Sequence, residues 1–161
     1  MGQVLYPPTH QEVEGPVVFL AGPIQGAPDW QKNAISIIQR LNPAVTIANP
    51  RVEYLDGEFV YEKQVDWETE YLNRAAKNGA ILFWLAREQE HIPERAYAQT
   101  SRFEIAEWKA RREKTKFNLI IGIEEGFSGA RYIRRRVAQD CPDVPIVSTL
   151  QEACEIAIHG L

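Results

Sequence analysis

The residues best equipped for chemistry in this chain are carboxylates. Glu104 follows Ser101 by three positions, and the segment from about Arg102 to Glu113 has helix-forming composition, so the spacing places Glu104 in a first helical turn. There the positive end of the helix dipole favours an ionised carboxylate, which could act as a nucleophile. The same Ser-x-x-Glu spacing is also a capping box, in which Glu104 would only satisfy the Ser101 amide. A second acidic group, Asp66, Glu68 and Glu70, lies in a helix expected over residues 62–77. Asp66 and Glu70 are four apart and share one face while Glu68 looks elsewhere, so only one of these faces can approach Glu104. A solvated acidic helix face is the plain alternative.

Other groups could hold a ligand without reacting with it. Gly22-Pro23-Ile24-Gln25 ends an apolar run and offers backbone N–H groups near a helix start, which suits an oxygen-rich ligand, although from spacing alone ordinary turn chemistry is the better explanation. Asn49-Pro50-Arg51 could bring a planar guanidinium to the same place, or leave it as a surface arginine after a turn. Trp30, Trp67, Trp84 and Trp108 could stack on a base, but most should be core residues. The basic stretches 109–116 and 131–136 read as solvated helix faces. His10, His91 and His159 lack metal-ligand spacing and no GxSxG elbow is present, so zinc and serine-triad mechanisms drop out, and neither metal nor cofactor is expected.

These residues need elements to position them. Residues 16–21 form an apolar run closed by Gly22-Pro23, a buried strand, and Trp30 to Leu41 carries apolar residues at helical spacing up to Asn42-Pro43. Val45 to Ala48 is a short strand, and residues 51–61 have no period and read as a loop long enough to carry function. After the helix at 62–77, the unbroken apolar run Ala80 to Leu85 marks a central strand covered on both faces. The helix bearing Glu104 follows, then a strand Asn118 to Ile123, a helix from about Gly129 to Gln139, a strand Val144 to Val147 and a helix Leu150 to His159. This alternation predicts one doubly wound α/β domain with a flavodoxin-like, five-stranded, mainly parallel sheet of order 2-1-3-4-5. In such a sheet ligands bind outside the carboxyl ends of the strands, where strand order reverses.

Composition fits this reading. The chain has 161 residues, 45% hydrophobic and 25% charged, which is ample for one core. Its net charge of -4 argues against a protein built to grip a phosphate backbone, so no nucleic-acid partner is expected. No apolar run approaches the roughly 20 residues of a spanning helix, and the first fifteen residues do not read as a signal peptide, so a cytoplasmic protein without a membrane partner is expected. Cys141 and Cys154 are too few for a disulfide framework and are expected to be reduced.

Taken together, FLAGPI, ANPR, QVDWETEYL, GAILFWLA and TSRFEIAEW, in this order over roughly residues 16–125, resemble the nucleoside 2-deoxyribosyltransferase family and its nucleotide N-glycosidase relatives. The resemblance implies that Glu104 attacks the anomeric carbon of a deoxyribose, forming a covalent glycosyl-enzyme as the base departs. It also implies a second carboxylate, at Asp66 in one frame and at Glu68 in the other. Gly22 to Gln25 would contact sugar or base, Ser101 would hold a 5'-phosphate, and neighbouring subunits of a homo-oligomer would complete the pocket. The approach to the glutamate departs from the family's glycine-rich pattern, being Gln99-Thr100-Ser101-Arg102-Phe103, with Ile105-Ala106 after it. That departure raises the alternative of a non-catalytic nucleotide-binding or sensing protein.

Overall fold

The computed structural model describes residues 2–161. The strands are β1 (Val4–Leu5), β2 (Val17–Ala21), β3 (Thr46–Ala48), β4 (Gly79–Leu85), β5 (Asn118–Ile123) and β6 (Ile146–Val147). The helices are α1 (Trp30–Leu41), α2 (Tyr61–Lys77), α3 (Gln99–Lys114), α4 (Ala130–Asp140) and α5 (Leu150–His159). All strand pairs are parallel, in the order β1-β3-β2-β4-β5-β6. The core of the sheet, β3-β2-β4-β5-β6, is the expected 2-1-3-4-5 arrangement. The difference is β1, which adds a sixth strand at the edge beside β3. At two residues it is too short to show any period in sequence.

Burial on both faces of the sheet explains the unbroken apolar strands. Along β4, Ile81, Phe83 and Leu85 point into one core with Trp67 and Tyr71 of α2, Ile105 and Trp108 of α3, and Val137 of α4. Their alternates Ala80, Leu82 and Trp84 point into the other, against Trp30, Ala34 and Ile38 of α1 and Ala153 and Ala157 of α5. Helices therefore wind on both sides, as the alternation of elements predicts. All four tryptophans are buried in these cores. Cys141 and Cys154 are likewise buried and free. Among the described residues, no helix is long and apolar enough to cross a membrane.

The chain leaves β2 toward β3 on one side and returns to β4 on the other, so strand order reverses at the carboxyl end of β2. Gly22 stands at that point because backbone crosses closely there. A Cβ on Gly22 would lie 2.2 Å from the Trp84 carbonyl oxygen and 2.8 Å from the Trp30 ring. Since a carbonyl held in the sheet cannot give way, Gly22→Ala is expected to cost about 3 kcal/mol, read as a lower midpoint in urea unfolding at unchanged slope.

Candidate active site

A cavity of about 410 Å³ opens at this reversal point. Gly22, Pro23, Ile24 and Gln25 form its floor beside β2. Pro50, Val52, Tyr54 and Phe59 close one side from the loop 49–60, while Gln64 and Glu68 of α2 and Ser101 and Glu104 of α3 face in from the helices. The aromatic lining comes from Phe19, Tyr54, Phe59 and Tyr61, not from tryptophan. Tyr54 and Phe59 pack edge to face, 5.2 Å between ring centroids.

The start of α3 differs from the expected one. Ala98 is the N-cap, in a left-handed conformation with φ 56°, and the Arg102 amide donates to its carbonyl at 2.9 Å. The helix thus begins at Gln99, about three residues earlier than the sequence predicts, and no side chain caps it. Ser101 lies inside the first turn and Glu104 in the second, so no capping box forms and the helix dipole acts on Glu104 only weakly. A left-handed alanine carries no compositional signal, since such positions are ordinarily glycine or asparagine.

Glu104 is half-buried in the cavity wall. Burial pushes its pKa up to about 8, and the negative charges of Glu68 and then Glu107 add to the shift. At neutral pH the group is therefore mostly protonated, which corrects the expectation of an ionised carboxylate.

Of Asp66, Glu68 and Glu70, only Glu68 lines the cavity. Its pKa is raised by burial, opposed by a hydrogen bond from Gln64. Asp66 is exposed and does not line the cavity. Glu70 sits on the outer face within 2.5 Å of the His10 ring. Gln64, one turn before Glu68, donates from Nε2 to Glu68 Oε1 at 2.7 Å and to the Pro50 carbonyl at 3.1 Å. The Tyr54 hydroxyl donates to Gln64 Oε1 at 2.5 Å. Neither Tyr54 nor Gln64 was singled out in sequence. The four-residue spacing of Gln64 and Glu68 is the one available signal, because it puts both on the same helix face.

Asn49 and Arg51 brace the site from outside the cavity. Asn49 is buried and its Oδ1 accepts from the Arg51 amide at 3.0 Å. The Arg51 guanidinium donates to the Pro28 carbonyl at 2.9 Å and to Gln31 Oε1 at 3.1 Å, tying the segment after Gly22–Gln25 to the end of β3. Ser101 is 5% exposed and lines the cavity beside Thr100 and Gln99. Arg95 also lines the cavity and, among the described residues, forms no salt bridge.

Fold and site together define a doubly wound α/β protein with a small-molecule cavity at the reversal of strand order and two carboxyl groups in its wall. The sequence matches the family model described as nucleoside 2-deoxyribosyltransferase like over residues 15–127, and the chain belongs to that family. The match runs from the segment before β2 to just past β5, so it includes Gly22–Gln25, Glu68, Ser101 and Glu104. Comparison with curated proteins gave no match.

Proposed function

We propose that this protein breaks the N-glycosidic bond of 2'-deoxynucleosides or their 5'-monophosphates, with Glu104 as nucleophile and Glu68 as proton donor. The observation that carries this reading is that Glu104 and Glu68, from two different helices, open onto one cavity and interact electrostatically. Asp66, outside the cavity, takes no part in it.

In the first step the Glu104 carboxylate attacks C1' and the C1'–N bond breaks, its electron pair passing to the base nitrogen while Glu68 supplies the proton. In the second step water, or the nitrogen of a second base, attacks C1', Glu68 takes up the proton, and Glu104 is released. This is the retaining scheme of two carboxyl groups with a covalent intermediate. Tyr54, Phe59 and Tyr61 offer apolar faces for the base.

The step requires the one proton of the pair on Glu68. At neutral pH that proton rests mostly on Glu104, so the reactive form is the minor one, reached when Glu104 passes its proton to Glu68. The two carboxyls titrate together, so kcat/KM is expected to be bell-shaped, with its upper limb near the pH of about 8 at which the pair gives up its last proton. In Glu68→Gln that upper limb should disappear, and the residual rate should climb as Glu104 ionises. A wild-type rate that climbs through pH 8 and stays high would remove Glu68 from the role.

Arg95, buried Ser101 and the first residues of α3, Gln99 and Thr100, all line the cavity, and their chemistry suits a 5'-phosphate. Arg95→Ala is expected to raise KM for deoxynucleoside 5'-monophosphates roughly tenfold, with little effect on free deoxynucleosides. Incubation with both substrate classes, with and without a second free base, followed by chromatography, distinguishes phosphate dependence and separates transfer from hydrolysis. No base release from any of them by the folded protein would end the enzymatic reading.

Of the cavity's lining, Tyr61 is 66% exposed and Phe59 and Val65 are also exposed, and Leu55 and Val60 of the adjoining loop are exposed too. An apolar patch at this place favours a homo-oligomer that covers it. The protonated state of Glu104 at neutral pH favours a second reading, a nucleotide-binding protein without turnover. In that case nucleotide would raise Tm without being consumed.

A further inference from the structure

The hydrogen bonds around Gln64 fix more than its own position. The Pro50 carbonyl can only accept, so the Gln64 atom 3.1 Å from it must be the amide nitrogen. The other amide atom is then oxygen, and the Tyr54 hydroxyl at 2.5 Å must donate to it. The second N–H of Gln64 points at Glu68 Oε1, 2.7 Å away. The direction of donation is thus set along the whole chain from Tyr54 through Gln64 to Glu68. Since Oε1 accepts, a proton carried by Glu68 belongs on Oε2.

We propose that Gln64, held by Tyr54 and Pro50, is a positioning residue that reserves Glu68 Oε1 as an acceptor and so places the transferable proton of Glu68 on Oε2. This rests on the reading of Glu68 as the proton donor and extends it to one oxygen and to two residues that do not themselves react. Tyr54 belongs to the loop 49–60 and Gln64 to the first turns of α2, so the chain also ties loop to helix. The titratable and charged side chains sharing the cavity with Glu68 are Glu104 of α3, Arg95 of the segment before it, and Tyr54 and Tyr61. Only Gln64 donates a hydrogen bond to Glu68 among the described residues.

The test uses Gln64→Met, which keeps length and flexibility while removing the amide, and Tyr54→Phe, which removes only the hydroxyl. Carbon-detected NMR follows the Glu68 carboxyl through a pH titration, its signal assigned by loss in Glu68→Gln, and this needs no turnover. In Gln64→Met the Glu68 midpoint is expected to move up, because the bond favouring the ionised form is gone. A smaller upward move is expected in Tyr54→Phe. For the wild-type substrate, kcat is expected to fall on the order of tenfold to a hundredfold in Gln64→Met with KM nearly unchanged. A Glu68 midpoint unmoved in both folded variants overturns the proposal. If the wild type releases no base while the midpoint moves as expected, the functional reading fails and the positioning role stands. Should Gln64→Met fail to fold, Tyr54→Phe decides by the same titration.

Discussion

Replacing Glu104 by glutamine is expected to lower kcat for base release by roughly four orders of magnitude, because it removes the atom that forms the covalent bond to C1'. Glutamine has the same shape and cannot ionise, so the cavity and its affinity for ligand should survive. Ligand-induced rise in Tm measures that affinity independently of turnover. A variant that binds nucleotide as the wild type does but releases no base places Glu104 in the chemistry. Retained base release in Glu104→Gln would take it out.

The same substitution is expected to stabilise the fold. Glu104 has a folded pKa of about 8 against an unfolded value of 4.5. A carboxyl raised in this way contributes stability that is fully present below about pH 4.5 and is lost progressively as pH rises through about 8. At pH 7 the folded group is only about one-tenth ionised while the unfolded one is almost fully ionised, a penalty on the order of 3 kcal/mol. Glutamine carries no such penalty. Glu104→Gln should therefore melt roughly 5–10 °C higher than the wild type at pH 7, with the difference vanishing near pH 4. A lower Tm at every pH would mean that the carboxyl is well solvated or well bonded, contrary to its place in the cavity wall. The two expectations together describe a group kept at a cost in stability for what it does.

The fold was legible where burial writes a period into the chain. The helix Trp30–Leu41 and the last helix Leu150–His159 match their expected limits, and Ala80 to Leu85 reads correctly as the central strand. The edge strand Val4–Leu5 was not legible, since two residues carry no alternation. The start of α3 escaped because Ala98 adopts a left-handed conformation that its side chain does not advertise, and the Ser-x-x-Glu spacing then suggested a cap that does not form.

The site was legible as a set of residues rather than as an arrangement. Sequence placed the site at the carboxyl ends of the strands and brought forward Glu104, Ser101 and Gly22 to Gln25, all of which line the cavity. It could not choose between Asp66 and Glu68, because both lie on one helix and only its packing against the sheet selects the inward face. It also missed Tyr54, whose loop has no period and whose hydroxyl meets Gln64 across ten residues of chain. The raised pKa of Glu104 depends on burial and on Glu68, neither of which is written locally.

The central claim is a covalent bond between Glu104 and a sugar. Acid quenching of the wild type during turnover of a deoxynucleoside or its 5'-monophosphate, followed by trypsin digestion, isolates the peptide Phe103–Lys109, which contains Glu104 and Glu107. Mass spectrometry is expected to show that peptide heavier by the deoxyribosyl group of the substrate, with fragmentation placing the addition on Glu104 and no such species in Glu104→Gln. Steady base release with an unmodified peptide throughout, or with the sugar on Glu107, would contradict the account.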